Sequence, residues 1–315
     1  MTQRILKYTL AVGASESTHY INLAQHMSAL NRQLFRQCRN YHIKSISIND
    51  DDNVGTAPDA YVQIGGAPWT WVQKNALRRG FEKWNEMNNI VLQGIGQKTM
   101  KPRWHDYKPY LSYKHYEKVN DGSTTIETPE DMNGNKLQLG EWVYSKYETP
   151  DATTSSDMFE VAFIGDNAGS AGAWQLISLT QSYASTRGNP SPTEPVVDSD
   201  APDDALLNLI DDGTQTDEIT ENLLDDNSSP PYDIISAGMG GIGELYVGAR
   251  NNMPQEQFFG ECNFNVYNPN NKMYNIQAPL GVLRVDCKSE SSTNITIIVE
   301  LAPGSYKGIK AESLL

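Results

Sequence analysis

The sequence predicts a mainly β protein, a β-sandwich with an amphipathic helix and a helical acidic insertion. Short runs rich in Val, Ile, Tyr, Phe and Thr recur along the chain, bounded by Gly, Pro, Asn and Asp. Strands and helices do not alternate as they do in a βαβ fold. No internal repeat with a period of about 20 to 50 residues is visible, which disfavours solenoids and propellers.

Ten segments have the composition of strands, and two of them show how each kind of strand is recognised. Residues 41–48 alternate polar and apolar side chains, which predicts a strand with one face in water. Residues 294–301 are nearly all apolar, which is typical of a buried central strand. The strands are predicted near 4–12, 41–48, 60–65, 108–117, 141–148, 158–165, 243–250, 257–267, 280–287 and 294–301.

Helical periodicity is clearest between Trp69 and Asn88, where apolar side chains recur every three or four residues with charged side chains between them. Pro68 stands at the start of this segment, where its missing N–H costs nothing. The segment is therefore predicted to be an amphipathic helix. A weaker helical pattern covers Asn22 to Gln37.

Most of the net charge of −14 comes from one tract, Glu194 to Asp226, which holds twelve acidic residues and no lysine or arginine. The rest of the chain has 27 acidic against 25 basic residues, so it has no global field that would attract nucleic acid. Two short helices are predicted inside the tract, near 203–213 and 216–224, and flanking prolines mark it as an insertion. Its predicted role is solvation of an outer surface, with calcium binding left open.

No motif in the sequence indicates catalysis, a cofactor or a metal site. The five histidines and three cysteines lack zinc-ligand spacing, and no Walker A sequence or G-x-S-x-G elbow is present. A G-x-G-x-x-G match at Gly238, Gly240 and Gly243 precedes a strand pattern instead of a helix, so a dinucleotide site is not predicted. We therefore expect no enzyme, although paired carboxylates of glycosidase type leave a polysaccharide-processing activity open.

One basic and aromatic segment, residues 98–118, has the composition of a single-stranded nucleic-acid site, because cations alternate with rings that could stack on bases. The predicted contact residues are Lys98, Lys101, Arg103, Trp104, Lys108 and Lys114. The alternative interpretation is that the rings divide between core and rim while the lysines only solvate the surface.

Five runs of the sequence form a recognisable series. They are Leu23-Ala-Gln-His-Met-Ser-Ala-Leu-Asn-Arg-Gln-Leu-Phe-Arg-Gln37, Trp84-Asn-Glu-Met-Asn88, Lys101-Pro-Arg-Trp-His-Asp-Tyr-Lys108, Ala278-Pro-Leu-Gly-Val-Leu283 and Leu301-Ala-Pro-Gly-Ser-Tyr-Lys-Gly308. Together these runs resemble capsid proteins of small single-stranded DNA viruses. This resemblance implies a viral jelly roll in residues 41–315, with insertions at about 66–100 and 188–232, preceded by an N-terminal arm in residues 1–40. It also implies a major capsid protein that self-assembles inside the host cell into the icosahedral shell of the virion.

The partners expected from the resemblance are many copies of the chain and genomic single-stranded DNA, with no small-molecule substrate. Many such capsids have an Arg-rich N-terminal arm, whereas residues 1–40 contain only five basic residues. Shells built from tandem double jelly rolls, as in membrane-containing phages, are therefore an alternative, and contact with a membrane stays open.

A carbohydrate- or receptor-binding β-sandwich is the alternative from another functional class. Its binding platform would be drawn from Trp69, Trp71, Trp104, Trp142 and Trp174.

Overall fold

The computed structural model describes residues 2–50, 59–94, 104–121, 127–150, 156–170, 173–187, 256–264 and 270–315. Its helices are α1 (Leu23–Asn31), α2 (Trp71–Gly94), α3 (Tyr113–Asn120) and α4 (Leu179–Arg187). Its strands are β1 (Ile5–Val12), β2 (Ser17–Asn22), β3 (Arg39–Asp50), β4 (Ala60–Gly66), β5 (Lys146–Pro150), β6 (Ser156–Ala162), β7 (Ala168–Ser170), β8 (Ala173–Ser178), β9 (Gln257–Phe264), β10 (Asn270–Pro279), β11 (Val282–Ser289), β12 (Thr293–Leu301) and β13 (Ala311–Ser313). The acidic insertion at 188–232, the predicted strand at 243–250 and the glycine motif lie outside these residues.

Two antiparallel sheets form the principal part of the protein, which is mainly β as the sequence predicts. One sheet has the order β1-β12-β3-β10, with β13 pairing to β3, and the other has the order β2-β11-β4-β9. Strands near the two ends of the chain pair with each other, and the pairing continues towards the middle of the chain: β1 with β12, β2 with β11, β3 with β10 and β4 with β9. Each sheet therefore combines strands from both ends of the chain.

The core between the two sheets consists of side chains at alternate positions along each strand, which point towards the opposite sheet. Tyr8, Ile46 and Val299 from one sheet and Val62 and Leu283 from the other are fully buried in a single cluster. The alternation of buried and less buried positions along β1 and β4 is the period of two that a half-buried strand requires.

A two-residue turn carries the chain from β10 in one sheet to β11 in the other. Leu280 and Gly281 both have positive φ angles, 62° and 65°. The backbone N–H of Gly281 donates to the carbonyl of Ala278 at 3.0 Å and closes a turn around Pro279 and Leu280. A Cβ atom on Gly281 would lie 2.8 Å from Cδ2 of Tyr41, so the site favours glycine for space as well as for conformation.

Residues 127–137 run along the edge formed by β1 and β2, and we call this segment the edge strap. The backbone N–H of Glu127 donates to the carbonyl of Tyr20, and the N–H of Glu130 donates to the carbonyl of Lys7. The Glu127 carboxylate also lies 2.7 Å from Nδ1 of His19, with both side chains buried. The edge strap thereby covers strand edges that would otherwise present unpaired backbone groups.

The N-terminal residues 1–40, expected as an arm before the shell domain, supply β1, β2 and α1. β1 pairs with β12, and β2 pairs with β11 over six residues. The weaker helical pattern at Asn22 to Gln37 corresponds to α1, whose N-cap is Asn22. This helix is shorter than predicted because Arg32 adopts a left-handed conformation with φ of 53°.

The chain between β4 and β9 contains a third sheet that the sequence did not separate from the sandwich. Its order is β5-β6-β8-β7, and β6 and β8 are parallel. The strands predicted near 141–148 and 158–165 belong to this sheet, so counting them among the sandwich strands was wrong. Helix α2 confirms the predicted amphipathic helix, and its buried face, with Leu77 and Trp84, shares a cluster with Phe163 and Val282.

The predicted strand at 108–117 is also wrong, because its second half is the start of α3. Ser112 caps this helix by accepting a hydrogen bond from the backbone N–H of His115. The spacing of three between Tyr113 and Tyr116 places both rings on one side of the helix, where they stack with centroids 6.3 Å apart. A capping serine therefore decides the local structure over the strand-like composition of the segment.

A candidate ligand-binding cleft

A cleft of about 560 Å³ lies where α1 and the turn after it face residues 138–143. Trp104 and Lys108, two of the residues predicted to contact nucleic acid, line it. Trp142 lines it as well. Its volume is within the range of about 300 to 1,000 Å³ that is usual for small-molecule sites.

The α1 side of the cleft is fixed by hydrogen bonds in the turn that follows the helix. Ser28 donates through Oγ to the carbonyl of Ala24 and accepts from the backbone N–H of Phe35 at 2.8 Å. Phe35 is buried in the core, so the turn is anchored at that point. Of the residues between, Ala29, exposed Arg32, half-buried Gln33 and Leu34 line the cleft.

The opposite side of the cleft is fixed by pairing between two extended segments. The backbone N–H of Lys108 donates to Oγ of Ser145, and the N–H of Ser145 donates to the carbonyl of Lys108, both at 2.9 Å. This pairing brings the Lys108 ammonium to 4.6 Å from the ring centroid of Trp142, a cation–π contact. Nε1 of Trp142 is buried and has no hydrogen-bond partner among the described residues.

Burial is the main influence on the pKa of Lys108. Only 8% of the residue is exposed, and this burial lowers the pKa of the amine, while the nearby Asp106 carboxylate acts in the opposite direction. The Lys108 charge is therefore directed at the Trp142 ring and has little access to solvent. Trp104, in contrast, is 59% exposed.

The predicted nucleic-acid residues separate into three groups. Trp104 and Lys108 line the cleft, whereas Lys114 is exposed on α3 and is not a lining residue. Lys98, Lys101 and Arg103 lie outside the described residues. Of the other rings in the segment, Tyr107 and Tyr110 are buried in the core.

The predicted tryptophan platform is also divided. Trp104 and Trp142 share the cleft, but Trp69 and Trp174 pack against a core cluster, and Trp71 is exposed on α2. The sequence analysis named both cleft tryptophans, but nothing in the sequence shows that the two line the same cleft. The pairing of Lys108 with Ser145 brings them together, and no local pattern indicates that pairing.

A basic cluster next to the cleft was missed by the sequence analysis. The Lys307 amine donates a hydrogen bond to the carbonyl of Leu34, a cleft residue. It also lies 5.8 Å from the ring centroid of Tyr306. The guanidinium of Arg39 lies 3.6 Å from the same centroid. Burial, and then the charges of Arg36 and Arg39, lower the pKa of Lys307. The Arg residues belong to the N-terminal segment and Lys307 to the C-terminal one, so only the fold brings them together.

Within the described ranges, no group of three or more His, Cys, Asp or Glu side chains is placed to hold a metal ion. None of the helices that the structure describes is both long enough and apolar enough to cross a membrane. The sequence matches no protein-family model and no curated protein, and the structure matches no solved structure.

Proposed function

We propose that the two principal sheets form a single jelly roll and that the protein is the subunit of an icosahedral viral capsid. The observation that carries the proposal is the nested pairing of eight strands: first with last, second with seventh, third with sixth and fourth with fifth. A long antiparallel hairpin that is rolled into two sheets pairs its strands in this order. Viral capsid domains are a principal use of this eight-strand arrangement.

The sheet orders favour one jelly roll over a tandem pair. A tandem protein would form its first sandwich from the first half of the chain and its second from the other half. Here β1 to β4 and β9 to β12 build the same two sheets. The additional length lies between β4 and β9, where a shell subunit can place its insertions without interrupting the sandwich.

The surface supports a subunit with several neighbours. Large apolar side chains more than half exposed occur on elements as separate as β1, α2, β6, β9 and β10: Ile5, Ile90, Met158, Phe258 and Tyr274. Single exposed apolar residues are ordinary on monomers. Their distribution over both sheets and the insertion is what a subunit in a closed shell needs, since it contacts neighbours on several sides.

The assembly part of the proposal is tested by light scattering at micromolar concentration and by negative-stain electron microscopy, each with and without single-stranded DNA. We expect uniform closed particles. A small oligomer under every condition would contradict the capsid proposal and would favour the carbohydrate- or receptor-binding alternative, since lectin domains use the same fold.

The strand pairing is tested separately with the existing thiol of Cys287. Ser17 lies directly opposite Cys287 in the β2–β11 register, with Oγ 3.2 Å from Sγ. In Ser17→Cys, mild oxidation is expected to join the two positions by a disulfide that mass spectrometry detects. Thr18→Cys is the matched control, because successive side chains of a strand point to opposite faces. Linkage in the control but not in Ser17→Cys would contradict the register.

A further inference from the structure

The cleft combines chemistries that the proposed shell function does not require. Its aromatic part is Trp104, whose indole is more than half exposed, together with Trp142. Gln25, Gln33 and Gln138 also line the cleft, and a glutamine side-chain amide both donates and accepts hydrogen bonds. An apolar face beside groups that donate and accept matches a sugar ring, which has C–H faces and a rim of hydroxyls.

The charges in the cleft argue against a polyphosphate. Arg32 and Lys108 are its cationic lining residues and Glu141 is its anionic one. Lys108 is buried against the Trp142 ring, so its amine is not presented as a phosphate contact. The exposed Glu141 would repel a phosphodiester. A strand of nucleic acid needs a basic track along its backbone, whereas a neutral or singly charged ligand does not. The cations of the neighbouring basic cluster are already bonded within the protein: Lys307 to the Leu34 carbonyl, Arg36 to the Asp106 carboxylate and Arg39 to the Ala311 carbonyl.

We propose that the cleft lined by Trp104, Trp142 and the three glutamines binds a short saccharide, either neutral or with a single negative charge. The exposed Trp104 indole stacks on one face of a sugar ring, and the amides bond to its hydroxyls. Arg32 is the group that accommodates a single carboxylate. The cleft volume of about 560 Å³ limits the bound portion to a few sugar units.

The proposal does not rest on shell assembly, because all the lining residues belong to one chain. It is tested on the full-length protein by saturation-transfer NMR and calorimetry with a panel of neutral and acidic oligosaccharides, and with a short single-stranded DNA as the competing class. We expect one or more saccharides to bind and the DNA not to displace them. Failure of the entire panel to bind at millimolar concentration would overturn the proposal, as would displacement of a bound saccharide by the DNA.

Two tryptophan variants test whether the saccharide binds in this cleft. Trp104→Ala is expected to weaken saccharide affinity about tenfold or more, because it removes the stacking face. Trp71→Ala is the matched control, since it removes a partly exposed indole from α2, outside the cleft. Circular dichroism verifies that both variants are folded. Equal affinity in the wild type and Trp104→Ala, or an equal loss in both variants, would overturn the assignment to this cleft.

Gln138→Ala tests the hydrogen-bonding part of the site without removing a ring. We expect a several-fold loss of affinity for the saccharide that binds best. An unchanged affinity in Gln138→Ala together with a large loss in Trp104→Ala would contradict the proposed contact of the Gln138 amide with the saccharide.

Discussion

Replacing Glu127 by Gln tests the buried ion pair that holds the edge strap on β2. Glu127 Oε1 lies 2.7 Å from Nδ1 of His19, and the two residues are 5% and 8% exposed. Burial alone would lower the pKa of His19, but Cys287 and Glu127 outweigh it and raise the pKa to about 9. His19 is therefore protonated in the folded protein at neutral pH and mostly neutral in the unfolded chain.

The contribution of His19 to the free energy of unfolding follows from the difference between its folded and unfolded pKa values. A histidine with a pKa of about 9 when folded and about 6.5 when unfolded stabilises the protein by about 2.5 kcal/mol at pH 7. Because the folded pKa is the higher one, this contribution is complete below about pH 6.5 and is lost as the pH rises through 9. Cys287 also raises this pKa and is the larger of the two causes. Glu127→Gln should therefore remove less than half of this stabilisation, about 1 kcal/mol at pH 7, and almost none at pH 9.5.

The measurement is urea unfolding of the full-length protein, followed by tryptophan fluorescence, from pH 6 to 9.5. Glu130→Gln is the matched control, because Glu130 also belongs to the edge strap but pairs with Lys7 and Thr9 instead of a histidine. We expect its effect to vary little over this range. A destabilisation by Glu127→Gln that is equally independent of pH would refute the assignment of a protonated His19.

Three further predictions concern two buried histidines, a turn glycine and the acidic tract. Burial lowers the pKa of His26 and His115 to about 3, so the stability that they contribute is complete above about pH 6.5 and declines as the pH falls towards 3. Near-ultraviolet circular dichroism should show this acid sensitivity, and His26→Gln should reduce it. Gly281→Ala should lower the free energy of unfolding by about 1 to 3 kcal/mol, measured in urea, whereas Gly13→Ala, with no atom within 4 Å of the added Cβ, should have little effect. Deletion of 194–226 should reduce the electrophoretic mobility of assembled particles towards the anode, and an unchanged mobility would contradict an outer position for this tract.

The sequence predicts a strand well where burial gives it a clear pattern. β3 and β12 were located because their side chains alternate or are continuously apolar. β10 was missed because its first residues, Asn270 to Lys272, are polar and give no hydrophobic pattern. Its backbone nevertheless pairs with β3, and the sequence does not show that pairing. β2 was missed for a related reason, since its buried side chains include His19 and Asn22, which local hydrophobicity does not reveal.

The candidate site was predictable only in its parts. The sequence drew attention to Trp104 and Lys108 because they lie in one basic and aromatic segment. The structure adds the pairing of Lys108 with Ser145 and the contact of Lys108 with Trp142, and it places Lys114 on α3, outside the cleft lining. Composition shows which residues are neighbours in the sequence. The kind of ligand that can bind depends instead on which residues line the same cleft.

The most direct test of the capsid proposal is a cryo-electron microscopy reconstruction of the purified full-length protein near neutral pH, with and without single-stranded DNA. We expect closed icosahedral particles whose subunit density contains the sheets β1-β12-β3-β10 and β2-β11-β4-β9. Only monomers or small open oligomers under both conditions would contradict a shell protein.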